Sequence, residues 1–396
     1  MEVEKIIALH RYALHNKNIL YKLALIGHAL FLLLFKRYSV KVEEINGSGE
    51  TKYLFFKALQ RFDYDELYSK IVSECKFQKI IVEAKASFGF DFSFLIDFST
   101  KIKTFNKIES RGILDRLYLF TSYLFYNKIL KTIDRFDFEI LVVFADMQPV
   151  DNILVQFYKG RKITTVTLQH GLFVDYEGTY NISSVSYKNV VSDHFLAWGE
   201  SNKMLIEKHN PDCNVIVCGN PIIKKSYNCV NVRRKFFTIV LDWDVFEKEN
   251  TEMIGMAMRL ADMIRMDFQV RYHPSNDKSK YIINSTFLMQ NETLDYMCSE
   301  FILGHTSSLI HVAQRLGKKV FKYNTTVPTN PIDKECVVNN ESDILCKLSS
   351  NFAYSEIKET VNIGSIGDDS LSCYNLFFCN LKTQGLEVKL CVNMNI

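Results

Sequence analysis

Short runs rich in Val, Ile, Leu and Phe alternate with longer helical stretches along most of the chain, and this rhythm restricts the fold more than any other feature. The runs fall at 52–56, 79–83, 139–145, 163–168, 194–198 and 214–218. A dense Leu, Phe and Tyr pattern over 114–135 predicts one long helix among them. After a polar stretch at 224–235 a second series begins, with a strand at 236–241, a helix over 251–265 and a strand at 268–272. A short helix at 292–298, a strand at 301–303, a helix at 308–316 and a strand at 318–323 follow. Brief apolar strands separated by helices belong to parallel sheets covered on both faces. The pattern predicts an α/β chain of two doubly wound parallel-sheet, Rossmann-like domains, one at 1–225 and one at 226–350. A C-terminal tail at 351–396 is expected to pack back on the first. The length of 396 residues agrees with two domains at roughly 150 residues each. Ligands in such sheets bind outside the carboxyl ends of the strands, so the expected site is a cleft between two facing domains.

Composition narrows the function. Hydrophobic residues make up 47% and charged residues 23% of the chain, which is globular rather than disordered. The net charge of +3 argues against a nucleic-acid partner. It conceals an asymmetry, because residues 1–235 hold 33 basic and 25 acidic side chains while 236–396 hold 15 and 20. A basic first half suits an anionic membrane surface. The ten cysteines show no CxxC pair, which fits neither a zinc site nor a disulfide framework and predicts reduced thiols. The opening MEVEKII places two Glu before the first Lys and lacks the basic start of a signal peptide. The longest apolar run, 23–35, contains His28 and falls short of the roughly 20 residues that span a bilayer. Its flanks, Lys22 and Lys36-Arg37, would let it rest on a membrane surface.

Four segments at strand ends could carry chemistry. The first is Gln169-His170-Gly171, where an imidazole stands at the ligand edge and the glycine permits a sharp turn. The second, Cys218-Gly219-Asn220-Pro221, reads as a turn. The third is Tyr272-His273-Pro274, and strand alternation predicts that Arg271 and His273 share a side as a phosphate or carboxylate contact. The fourth, Gly304-His305-Thr306-Ser307-Ser308, places hydroxyls and unpaired N–H groups at a helix start, which suits an anion. Asp146 follows the strand at 139–145. Asp242-Trp243-Asp244 approaches a metal-binding DxD in form, but its two acids follow the first strand of the second domain and read as loop carboxylates.

The order QHG, FLAWGE at 195–200, CGNP, YHP and GHTSS resembles bacterial GT-B glycosyltransferases of surface-polysaccharide (O-antigen and capsule) assembly. Similar HG and HP elements recur in capsule Kdo transferases and CDP-glycerol glycerophosphotransferases. The resemblance covers roughly residues 139–325 and implies an enzyme that needs neither metal nor cofactor. It implies a nucleotide-sugar donor (UDP- or CMP-linked) held by His273, Arg271, Thr306, Ser307 and Ser308, with Gly219 and Asn220 nearby. A lipid-linked oligosaccharide acceptor would lie beside Gln169, Gly171, Asp175 and Glu177. His170 is the favoured general base, because a near-neutral imidazole can accept a hydroxyl proton; Asp146 is its rival or partner. His305 lies beside the serines, whereas His194, His209 and His311 face solvent or core. The implied location is cytoplasmic, peripheral on the inner face of the membrane. Three other readings stay open: a CDP-polyol phosphotransferase, a catalytically silent GT-B-like scaffold of a polysaccharide-assembly complex, and a nucleotide-sugar epimerase, which would need no lipid-facing surface.

Overall fold

The computed structural model describes residues 1–396 apart from 48–50, 59–61, 93–94, 96–97, 177–181, 224–233, 290–293, 351–360 and 394–396. The chain divides into two compact units. One comprises Met1–Ala197, Asn202–Cys218 and Asp369–Ile396, and the other Trp198–Ser201 and Gly219–Asp368.

The first unit contains strands β1 (Lys36–Ile45), β2 (Lys52–Lys57), β3 (Gln78–Phe88), β4 (Ile140–Val143), β5 (Thr164–Leu168), β6 (His194–Ala197) and β7 (Asn214–Val217). Its early helices are α1 (Val3–Ile6), α2 (Ala8–Leu14), α3 (Ile19–Phe35), α4 (Phe62–Glu74), α5 (Phe98–Lys107) and α6 (Ile113–Ile133). They are followed by α7 (Pro149–Lys159), α8 (Ile182–Lys188) and α9 (Glu200–His209). The sheet order is β1-β3-β2-β4-β5-β6-β7. All pairs are parallel except β1 with β3, which run antiparallel from Lys36 opposite Phe88 to Ile45 opposite Lys79. The strand reading began at residue 52 and therefore lacked β1. Every residue of β4 is buried, as expected for Ile140-Leu141-Val142-Val143 between two helix layers. The helix predicted at 114–135 is α6, which buries residues around most of its circumference.

The second unit contains β8 (Phe236–Val240), β9 (Asp267–Arg271), β10 (Ile302–Gly304), β11 (Val320–Tyr323) and β12 (Val337–Val338). Helices α10 (Glu247–Ile264), α11 (Ser308–Arg315) and α12 (Glu341–Ser349) accompany them, whereas α13 (Gly367–Asn393) belongs to the first unit from Asp369 onward. The order β12-β11-β10-β8-β9 is wholly parallel. Phe237 stacks on Phe268 at 5.5 Å and on Phe301 at 4.8 Å between ring centres, linking three adjacent strands. Burying each such ring stabilises the unit by about 1.5–3 kcal/mol. Only a 3₁₀ turn, Tyr296–Cys298, occupies the described part of the predicted helix at 292–298. Cysteines 75, 213, 218, 336, 346, 373 and 379 are free thiols, whereas Cys298 departs from expectation in being disulfide-bonded.

Both sheets are doubly wound. In the second unit the chain leaves β8, crosses to β9 on one side and returns to β10 on the other. The carboxyl ends of β8 and β10 therefore flank a topological switch point, where open α/β sheets bind ligands.

Candidate functional site

Three loops converge at that switch point in the second unit. The first follows β8 and carries Asp242 and Asp244. Asn250, on the first turn of α10, clasps the Asp242 backbone: its Oδ1 accepts the Asp242 N–H (3.0 Å) and its Nδ2 donates to the Asp242 carbonyl (2.8 Å). The amide orientation is thereby fixed, and Oδ1 meets His305 Nε2 at 2.9 Å. His305 Nδ1 lies 2.9 Å from Thr306 Oγ1, which donates to Asp242 Oδ2. The other carboxylate oxygen accepts the Trp243 N–H at 2.7 Å.

The donor and acceptor inventory of this chain has a consequence. Asn250 Oδ1 can only accept, so His305 Nε2 carries a hydrogen. Thr306 has one hydroxyl hydrogen to place between His305 Nδ1 and Asp242. Through that hydroxyl the Asp242 carboxylate is joined to the buried His305 ring. Burial lowers the His305 pKa, and the Asp242 and Glu249 carboxylates oppose that shift. His305 is fully buried, and Asn250 and Thr306 give both of its ring nitrogens a hydrogen-bond partner.

The second loop follows β9. That strand ends at Arg271, so His273 lies beyond it and strand alternation does not decide whether the two share a side. Arg271 stacks over Tyr296 at 4.6 Å. The His273 N–H donates to Asn276 Oδ1, and the Ser275 N–H donates to His273 Nδ1 (3.2 Å). In the neutral ring this places the proton on Nε2, the donor form that contact with a phosphate oxygen requires. Asn276 also bonds to the Asp242 carbonyl (3.0 Å) and Asp244, and Tyr281 donates to Asp244 at 2.9 Å. The Asp277 N–H, Asn276, Tyr281 and Lys280 hold the Asp244 carboxyl well below the usual carboxylate range. Both acids of Asp242-Trp243-Asp244 are thus engaged by loop donors.

The third loop follows β10. Gly304 lets α11 approach, since a Cβ there would come within 2.6 Å of Ile310 and 2.7 Å of Val240. Ser307 caps α11, accepting the Leu309 N–H at 3.4 Å, and Ser308 is exposed on its first turn. Thr306 is buried and serves as a strut to Asp242. Gly219 and Asn220 are occupied elsewhere. Gly219 adopts φ +83°, and a Cβ there would overlap the Ser365 carbonyl. The Asn220 N–H donates to that same carbonyl at 2.9 Å, and Asn220 Oδ1 accepts the Ile222 N–H at 3.1 Å.

In the first unit, Gln169-His170-Gly171 follows β5. Gln169 is fully buried and donates to the Gly171 carbonyl (2.7 Å) and to Asn202 Oδ1. Asn202 in turn brackets Phe173, accepting its N–H at 3.1 Å and donating to its carbonyl at 2.9 Å. This holds the loop so that the partly exposed His170 ring rests between Phe144 and Phe173, at 6.1 and 5.7 Å. Gly171 is not left-handed, and a Cβ there would meet nothing within 4 Å, so no turn demands glycine. Asp146 is fully buried, its Oδ2 accepting the N–H groups of Val191 (2.8 Å) and Ser192 (2.9 Å). Burial raises its pKa, opposed by those N–H groups and the Ser192 and Thr167 hydroxyls. Its neighbour Asp151, on the first turn of α7, is raised well above normal by burial and by Asp146. A general base must reach its proton donor, so the partly exposed His170 suits that role better than the sealed Asp146. Asp175 accepts from Tyr187 (3.2 Å) and pairs with Lys208 (3.5 Å); Glu177 lies outside the described residues.

The residues missed from sequence are the organisers: Asn250, Asn276, Tyr281, Asn202 and Asp151. Asn250 had a signal, a lone polar residue on the stripe Met253, Ile254, Ala257, Leu260 and Ala261 that α10 buries.

No family model and no curated protein sequence matches the chain. Among solved structures it is similar to a putative UDP-N-acetylglucosamine 2-epimerase from Listeria monocytogenes, at 12% identity and TM-score 0.55, covering 86% of this chain and 97% of that one. It is also similar to a calicheamicin glycosyltransferase at 8% identity and TM-score 0.47, covering 85% and 98%. The wall teichoic acid polymerase TagF matches at 12% identity and TM-score 0.45, covering 97% and 99%. The fold is that of two Rossmann-like α/β domains of the GT-B type.

Proposed function

We propose that the chain is a metal-independent glycosyltransferase that moves a sugar from a UDP- or CMP-activated donor to a lipid-linked O-antigen or capsule oligosaccharide, working at the cytoplasmic face of the membrane. The observation that carries this reading is the second unit's switch point, where the loops after β8, β9 and β10 are cross-bonded through Asp242, Asn250, Asn276 and His305. That framework fixes His273 as an Nε2–H donor and orders the capped start of α11. A hydrogen-bond donor and a helix N-terminus together suit a phosphate that gains charge as the nucleotide departs. In the transfer, the acceptor oxygen bonds to the anomeric carbon, the bond from that carbon to phosphate oxygen breaks, and the hydroxyl proton passes to His170. Arg271, engaged with Tyr296, is the flanking cation for the donor.

The test is product analysis with purified protein, a panel of UDP- and CMP-sugars and a lipid-linked acceptor. A glycosidic product with release of the nucleotide, lost in His170→Ala and His273→Ala, is the expected result. A phosphodiester product with CMP release would identify polyol phosphate transfer from a CDP-polyol instead. Conversion of the sugar nucleotide without acceptor would identify an epimerase, and unimpaired polymer synthesis with both variants would identify a scaffold.

A further inference from the structure

A cavity of about 550 Å³ opens in the first unit, lined by none of the residues assigned to the transfer site above. It is walled by the end of α2, the turn into α3, the turn before α6 and the first turns of α6. Four cations line it, Arg11, Lys17, Lys22 and Arg111, against two carboxylates, Glu109 and Asp115. Lys22 pairs with Asp115 at 2.8 Å and Arg11 with Glu4. Lys17 and Arg111 are exposed and form no ion pair among the described residues. A second cavity of about 340 Å³ shares Lys17, Lys22, Arg111 and Asp115 and extends to Ile19 and Ile113.

Two long helices begin at this place. Asn18 caps α3, and Gly112 begins α6 without any side-chain cap. Both N-termini add positive potential to that of the side chains. The rim has the opposite character: Leu20 is 74% and Ile113 66% exposed, with Ile19, Leu23 and Leu117 also open to solvent. From there an apolar ridge runs along α3 through Leu23, Leu30 and Phe31, with His28 exposed along one edge, about 18 Å long at 1.5 Å per residue. A soluble anion would have no use for the ridge, and an apolar peptide none for the cations.

We propose that this cavity receives the phosphate head of a membrane lipid while the α3 ridge lies against its hydrocarbon. The ligand class is a lipid with an exposed phosphate. The proposal concerns a different cavity from the transfer site, and its test needs no sugar nucleotide, so either reading can fail alone.

The experiment is co-sedimentation of the full chain with vesicles of phosphatidylcholine alone or containing phosphatidic acid. Three proteins are compared: the unmodified chain, Lys17→Ser/Arg111→Ser and Leu20→Ser/Leu23→Ser. These four positions are exposed, and unchanged melting curves verify that the variants fold. The unmodified chain should bind the phosphatidic acid vesicles preferentially. Removing two cations should weaken that binding about 30-fold, roughly five-fold for each, and the double leucine variant should also bind more weakly. Equal binding by the unmodified chain and the cation variant would overturn the proposal. So would protection by inorganic phosphate that depends on Lys17 and Arg111 without any vesicle binding, since the ligand would then be a free phosphate.

Discussion

Asp242→Asn and Thr306→Val alter the same hydrogen-bond chain in opposite ways, and the second unit should distinguish them sharply. In Asp242→Asn the side-chain carbonyl keeps the Trp243 N–H, and the new amide donates to Thr306 Oγ1. The Thr306 hydrogen then turns to His305 Nδ1, and Nε2 still reaches Asn250 Oδ1. Every group remains paired, so the loss is limited to charge assistance, about 1 kcal/mol. Thr306→Val preserves shape but leaves His305 Nδ1 without its partner in a fully buried ring and Asp242 Oδ2 without its donor at a half-buried position. Stranding a buried polar group costs about 1–3 kcal/mol. The sum is about 3 kcal/mol, because water can still reach the half-buried carboxylate. At roughly 2–4 °C per kcal/mol, Thr306→Val should melt some 6–12 °C lower, and Asp242→Asn only a few degrees lower. Differential scanning calorimetry at neutral pH, following the second unit's transition, measures both. A Thr306→Val protein within about 1 kcal/mol of the parent, or an Asp242→Asn protein as unstable as Thr306→Val, would refute the Asp242–Thr306–His305 hydrogen-bond chain.

Other consequences concern separate parts of the molecule. His311 is buried with its pKa lowered to about 4 by desolvation, and Asn362 donates to its Nδ1 at 3.1 Å. Because the folded pKa is depressed, this contribution is complete above pH ~6.5 and is lost as pH falls through about 4. His311→Gln should therefore lose about 3 kcal/mol less stability than the parent over that interval, read from urea unfolding; parallel pH slopes would contradict it. His10, held between the Tyr118 and Tyr126 hydroxyls at 2.6 and 2.7 Å, is lowered to about 4 in the same way and should add to acid sensitivity in the first unit. Gly219→Ala must adopt a left-handed backbone against the Ser365 carbonyl. It should cost about 3 kcal/mol or more, whereas Gly171→Ala, with open space around its Cβ, should leave the melting temperature unchanged.

The parts of this fold that could be read from sequence are those in which one residue type repeats. Ile140-Leu141-Val142-Val143 and Phe236–Val240 are buried on both faces, so composition alone marks them as inner strands. β1 escapes such a reading because Tyr38, Val40 and Val42 alternate with Ser39, Lys41 and Glu43, and only one side is covered. It pairs antiparallel at the sheet edge, where one solvated face is permitted. The site divides similarly. His170, His273 and Ser307 stand at strand ends and announce themselves by position. What orients them does not: Asn276 reaches the Asp242 carbonyl from another loop, and Asn202 holds the QHG segment from a helix beyond β6. Such bonds depend on which loops the sheet order brings together, information that no local spacing contains. Asp146 illustrates the converse, since its place at a strand end is correct while its bonds to Val191 and Ser192 make it a buried anchor.

The central claim is that the second unit holds a nucleotide phosphate through His273 and the start of α11. Isothermal titration of UDP and CMP against the parent protein, His273→Ala and Ser307→Ala tests it most directly. The account predicts that at least one nucleotide binds the parent and that both variants bind it at least ten-fold more weakly, about 1.4 kcal/mol, without a change in fold. Equal affinity in parent and variants, or no heat with any nucleotide, would contradict it.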